Sequence, residues 1–129
     1  NFKLFNDTHG HQAGDRVLVE FASLLQQNVR TGDVVCRYGG EEFAIILADT
    51  GVREDQNSHA KSRRFVDRLR ALILGQKFEG EEVLPGGRLT ISAGLADFRR
   101  DAETARDLIS IADRRLYEAK NQGRNRVCA

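Results

Sequence analysis

The chemistry of this chain is concentrated in four short polar segments. The first is Gly39-Gly40-Glu41-Glu42-Phe43. A glycine has no Cβ, so a tight Gly-Gly turn lets backbone amides come close to a ligand. Two carboxylates directly after it can hold a hard cation, and Mg²⁺ favours one or two carboxylates plus phosphate oxygens. Such an ion would polarise a phosphoryl group and lower the pKa of a bound hydroxyl. The same five residues equally suit an ordinary hairpin with two solvated acids.

The second segment is Phe2-Lys3-x-x-Asn6-Asp7-x-x-Gly10-His11-x-x-Gly14-Asp15. Lys3 is a compact cation suited to a phosphate. Asn6 offers a donor and acceptors, whereas Asp15 accepts only. Together they complement the edge of guanine, which shows a carbonyl beside N–H donors. The alternative is a polar turn with Asp15 starting a helix, and a lone His11 is more often structural than catalytic. The third segment, near the C-terminus, holds Lys120 and Arg124 about a helix end. Both could neutralise phosphates or simply offset the helix dipole. The fourth is Arg30-Thr31-Gly32-Asp33. Its arginine could grip phosphate or guanine with paired hydrogen bonds, or form a surface ion pair worth about 0–1 kcal/mol.

The elements that must position these segments follow from periodicity. Helices are expected over about Ala13 to Val29, His59 to Leu74 and Ala105 to Asn121, each with one apolar stripe. Thr31-Gly32 should end the first of these, Gly75 the second and Gly123 the third. Thr104 and Asp107 have the spacing of a capping box. Asn6 through His11 reads as a turn-rich stretch. Val34 to Tyr38 and Phe43 to Leu47 read as strands joined by the Gly-Gly turn, the second as a central strand buried on both faces. Arg88 to Ala96 reads as another central strand, and Asn125 to Val127 as a short one. Asp49 to Ser58 reads as a loop, Phe78 to Val83 as an edge strand or loop, and Pro85-Gly86-Gly87 as a turn. The sum is an α+β fold, with helices covering a mostly antiparallel sheet.

Composition narrows the choices. A chain of 129 residues suits one domain, and 40% hydrophobic with 30% charged residues reads as globular. A net charge of +1 argues against a protein held to nucleic acid by bulk electrostatics. No apolar run nears the roughly 20 residues of a membrane helix. Cys36 and Cys128 have no metal-like spacing and read as free thiols of a reducing cytosol. The chain begins at Asn1 and reads as a fragment of a larger protein, which an upstream domain could anchor to a membrane.

Taken together, the four segments resemble the GGDEF family of diguanylate cyclases, from Phe2 to Val127. The core of the likeness is Arg37-Tyr38-Gly39-Gly40-Glu41-Glu42-Phe43, a GGEEF form of the signature. The resemblance implies a palm-like fold similar to nucleotidyl cyclases. It also implies that two domains, each holding one GTP, meet as a homodimer and form cyclic di-GMP with release of pyrophosphate. Carried over by position, Glu41 would bind Mg²⁺ or Mn²⁺ and help deprotonate the attacking hydroxyl, with Glu42 as a second metal ligand or a charge stabiliser. Gly39 and Gly40 would admit the phosphates, Asn6 and Asp15 would read guanine, and Lys3, Lys120 and Arg124 would neutralise phosphates. Arg30, Asp33 and Arg68 would form the family's inhibitory site for cyclic di-GMP. Two departures stand out. The family's Asp-x-Asp strand, with one metal ligand, would precede Asn1, so the first strand looks truncated. Ala93 replaces a larger aliphatic residue. The competing expectation is a catalytically silent domain that binds cyclic di-GMP or GTP.

Overall fold

The computed structural model describes residues 1–48 and 58–129. In chain order the elements are α1 (Phe2–His9), α2 (His11–Asn28), β1 (Val34–Gly39), β2 (Glu42–Ile46), α3 (Ser58–Gly75), β3 (Ala93–Gly94), α4 (Ala105–Asn121) and β4 (Val127–Cys128). Short 3₁₀ turns occupy Glu81–Val83 and Pro85–Gly87. The fold is α+β. The chain divides into two compact units, Asn1–Asp49 with Ile73–Leu89, and Thr50–Leu72 with Thr90–Ala129.

In the first unit, α1 packs on α2, and α2 touches β1. The apolar stripe of α2 buries Val17, Leu18 and Leu25, against a core that also holds Phe5, Ile73, Phe78 and Leu84. Each fully buried phenylalanine contributes about 2–3 kcal/mol relative to exposure. The polar group in this core is the Glu81 carboxylate, which accepts from Arg88 Nη1 at 2.9 Å and from the Leu89 backbone N–H at 3.0 Å. A buried charge is tolerable when it is so paired.

The second unit contains residues 58–72 of α3 and the pair β3–β4, with α4 packed on both strands. Ala119 is fully buried and Val127 nearly so. The cap at Thr104 forms as its spacing predicts: its hydroxyl accepts from the Asp107 N–H at 3.1 Å and donates to the Asp107 carboxylate at 2.8 Å. α4 has the predicted bounds, and α2 and α3 depart from theirs by at most two residues at either end.

Three expectations are corrected. The stretch read as a turn at Asn6 to His11 is mostly helix: α1 runs through His9, and only Gly10, at φ 82°, breaks it from α2. β2 is not a strand buried on both faces; its residues are half-buried, Ile46 is exposed, and among the described residues it pairs with β1 alone. Of the strand expected over Arg88 to Ala96, only Ala93–Gly94 pairs, in parallel with β4. The described ladders are therefore one antiparallel and one parallel pair. Except for Ser58, which opens α3, the loop read at Asp49 to Ser58 lies outside the described residues. Among the described residues, no helix is long and apolar enough to cross a membrane.

Candidate active site

The Gly-Gly turn sits at the tip of the β1–β2 hairpin. Val34 pairs with Ile46 and Arg37 with Phe43, but Gly39 then pairs with Glu42, which leaves Tyr38 as an extra residue in β1. Such a bulge sharpens the local twist and re-aims the residues beyond it. Gly40 turns the chain at φ 50°, a left-handed value that costs glycine least. Arg37 Nε donates to the Gly40 carbonyl at 2.8 Å and so ties the strand to its own turn. Phe43 meets Phe21 of α2 edge to face, with ring centroids 5.0 Å apart, which fastens the hairpin to the helix. A Cβ added to Gly39 or Gly40 would meet nothing within 4 Å. Glu41 is exposed and Glu42 half-buried.

The α1–α2 corner carries Lys3, Asn6 and Asp15. Lys3 and Asn6 are three residues apart on one face of α1. The Gly10 N–H donates to the Asn6 carbonyl at 2.8 Å. Asn6 leans over the start of α2, where Gly14 leaves it room, and its Oδ1 is buried without a hydrogen-bond partner. Lys3 and Asp15 are exposed. Because α2 touches both α1 and β1, one helix supports both the corner and the hairpin.

Beyond the other end of α2, Arg30 and Asp33 form a tight turn. The Asp33 N–H donates to the Arg30 carbonyl at 3.0 Å. One Asp33 carboxylate oxygen accepts from the Arg30 N–H at 2.9 Å, the other from the Ala48 N–H at 3.0 Å. The Arg30 side chain is exposed.

In the second unit, Arg68 is exposed on α3 with its guanidinium 5.6 Å from the centre of the Phe65 ring. Lys120 lies in the last turn of α4. Arg124 is exposed just past the helix and has a left-handed backbone, φ 61°.

A family model described as the diguanylate cyclase, GGDEF domain, matches residues 1–126. The chain belongs to the GGDEF family. It is 42% identical over 129 residues to the response regulator PleD of Caulobacter vibrioides, a match that covers 98% of this chain and 26% of PleD. The chain thus spans about a quarter of the length of that relative. The active GGEEF domain of a diguanylate cyclase from Vibrio cholerae superposes with a TM-score of 0.81 at 32% identity, covering 99% of this chain and 75% of that one. The coiled coil and GGDEF domain of DgcB from Caulobacter crescentus, solved with c-di-GMP, gives 0.80 at 32% identity, covering 100% and 64%.

Within this GGDEF domain, Glu41 and Glu42 are the candidate metal donors. Among the described residues no group of three or more His, Cys, Asp or Glu is placed to hold an ion. Two adjacent carboxylates beside open backbone still suit Mg²⁺ or Mn²⁺, whose remaining positions phosphate oxygens and water can fill.

Sequence reasoning assigned no role to three groups in the GGDEF domain. Arg37 braces the turn; its place three residues before Gly40 was the available signal. Arg70 Nη1 donates to Asn125 Oδ1 at 2.9 Å, a pairing across 55 residues that no spacing rule reaches. Arg115 donates to both oxygens of Asp101, at 2.6 and 3.2 Å, and to the Leu95 carbonyl at 2.8 Å. The hydrogen bond from Arg115 holds the Asp101 carboxyl down at about 2, and the same pairing raises the pKa of Arg115. His59 pairs with Asp97 beside this group.

Proposed function

We propose that this domain is a diguanylate cyclase, condensing two GTP molecules into cyclic di-GMP and two pyrophosphates. The observation that carries the reading is the braced Gly39–Glu42 turn, with open space at both glycines and two carboxylates beside them. Two copies of the domain, each with one GTP, form the working dimer. The 3′-hydroxyl of each GTP attacks the α-phosphorus of the other, the bond to the β-phosphate breaks, and pyrophosphate leaves. Glu41 helps take the hydroxyl proton. Glu41 and Glu42 would hold Mg²⁺ or Mn²⁺, and the ion would supply charge to stabilise the transferring phosphoryl group. Asn6 and Asp15 read guanine, and Lys3, Lys120 and Arg124 neutralise phosphates. Catalysis then comes mainly from positioning and charge, as phosphoryl transfer requires. A GTP substrate fits a cytoplasmic location.

Arg30, Asp33 and Arg68 are proposed to bind cyclic di-GMP and inhibit the enzyme. Support for a cyclic di-GMP ligand comes from the DgcB relative, solved with that nucleotide.

The test uses protein with its native flanking sequence, GTP and Mg²⁺, with nucleotides separated by chromatography. Cyclic di-GMP should form, and Glu42→Ala should reduce it by about a hundredfold or more. No product from folded protein at concentrations that allow dimers would overturn the cyclase reading in favour of a binding module.

A further inference from the structure

After α4 the chain makes an unusual exit. Gly123, Arg124 and Asn125 are consecutive left-handed residues, at φ 107°, 61° and 47°. The Arg124 N–H reaches back to the Ala119 carbonyl at 3.0 Å, and the Gln122 N–H to the Glu118 carbonyl at 2.9 Å. Glycine takes such a backbone freely and asparagine tolerates it, but arginine has no such excuse. A residue persists there only when its surroundings fix it.

The surroundings are specific. Asn125 Oδ1 accepts from Arg70 Nη1 at 2.9 Å. Arg70 lies 4.0 Å from the Asp67 carboxylate one turn earlier on α3, and Asp67 is paired with Arg63 at 3.1 Å. The Arg124 carbonyl in turn accepts from Arg126 Nε at 3.2 Å. The exposed Arg124 side chain thus stands on a backbone pinned from α3 through its neighbour.

We propose that Asn125 and Arg70 are positioning residues that fix Arg124 for its contact with a GTP phosphate. This rests on the reading of Arg124 as a phosphate ligand. The Asn125 amide accepts the Arg70 hydrogen bond while its backbone holds the left-handed run, so the loss of either partner lets Arg124 swing and weakens the nucleotide complex.

The test is equilibrium titration of the full-length protein with 3′-deoxy-GTP and Mg²⁺, a probe that binds but lacks the attacking hydroxyl. Arg124→Ala sets the scale, with Kd raised about tenfold for one lost charge-assisted contact. Asn125→Ala and Arg70→Gln should each raise Kd by a similar factor, and neither should add to it in the Arg124→Ala background. Asn125→Asp, which retains an acceptor and tolerates the left-handed backbone, should restore binding. Asn125→Gly retains the conformation but not the acceptor, and its raised Kd carries the test where Asn125→Ala does not fold. Unchanged Kd in the Asn125 and Arg70 variants, with Arg124→Ala impaired, overturns the inference and leaves the phosphate reading standing. An equal rise with and without Arg124 also overturns it, since the effect would then be general. An unimpaired Arg124→Ala overturns the phosphate reading itself.

Discussion

Gly14 and Asn6 share one space: a Cβ placed on Gly14 would lie 1.9 Å from Asn6 Oδ1 and 3.2 Å from the Phe2 ring. The absence of a side chain on α2 is what allows the Asn6 amide to lie against it. Gly14→Ala should therefore displace Asn6. Alanine favours a helix over glycine by about 1 kcal/mol, while the forced shift costs about 1–3 kcal/mol. The net is about 0–2 kcal/mol of destabilisation, so the melting temperature should fall by no more than about 8 °C. Affinity for GTP should fall about tenfold, as expected if Asn6 reads guanine. Calorimetric melting beside a GTP titration checks both halves.

Gly94 gives the opposite balance. An added Cβ would lie 2.0 Å from the Ala112 carbonyl oxygen and 2.4 Å from the Leu116 nitrogen, both backbone atoms of α4. A helix backbone cannot swing aside as an amide can. Gly94→Ala should cost about 3 kcal/mol or more and lower the melting temperature by about 10 °C or more. A melting shift of only a few degrees would contradict the close packing of β3 on α4.

Arg30 and Asp33 should separate in their effects on stability. Arg30 presents an exposed side chain, so Arg30→Ala should leave stability within about 0.5 kcal/mol and relieve inhibition by cyclic di-GMP. Asp33 also binds the backbone N–H groups of Arg30 and Ala48. Asp33→Ala should relieve inhibition too, but at a cost of about 1–2 kcal/mol. Product-inhibition curves with urea denaturation of both variants make the comparison.

Acid should expose the Arg115–Asp101 pair. The Asp101 carboxyl has an ordinary value of 3.8 and is held at about 2 in the fold, chiefly by the Arg115 hydrogen bond. Its folded value is depressed, so its stabilisation is fully present above about pH 4 and is lost as pH falls through about 2. The contribution is on the order of 2 kcal/mol. Asp101→Asn should lose it, and the stability gap between wild type and variant should narrow as pH drops from 4 to 2. A gap that stays constant over that range would show that Asp101 is not held low.

The parts of the fold legible in the sequence were those with local determinants. α4 announced itself through Thr104 at one end and Gly123 at the other, and the hairpin through Gly39-Gly40 between two apolar runs. α1 was missed because Asn6, Asp7, Thr8 and Gly10 are turn residues by composition, whereas burial of Phe5 and contact with α2 make the segment helical. The strand at Arg88 to Ala96 failed for a reason outside its own residues. The Leu89 N–H is taken by the Glu81 carboxylate, and β4 pairs with only two residues.

The candidate site shows the same divide. Glu41, Glu42, Asn6, Asp15 and Arg30 could be named because short motifs carry them. The groups that brace or pin, such as Arg70 on Asn125, could not, because their partners are distant in sequence.

The length of α2 has a kinetic consequence. Asp15 lies near its start and Arg30 beyond its end, and its 18 residues span about 27 Å. The 6 residues of β1 put the Gly-Gly turn about 20 Å from Asp33. A nucleotide held at Arg30 and Asp33 would thus touch neither the α1–α2 corner nor the turn in the same domain. Raising the GTP concentration would not displace it, and double-reciprocal plots should show a lowered maximal rate with an unchanged KM.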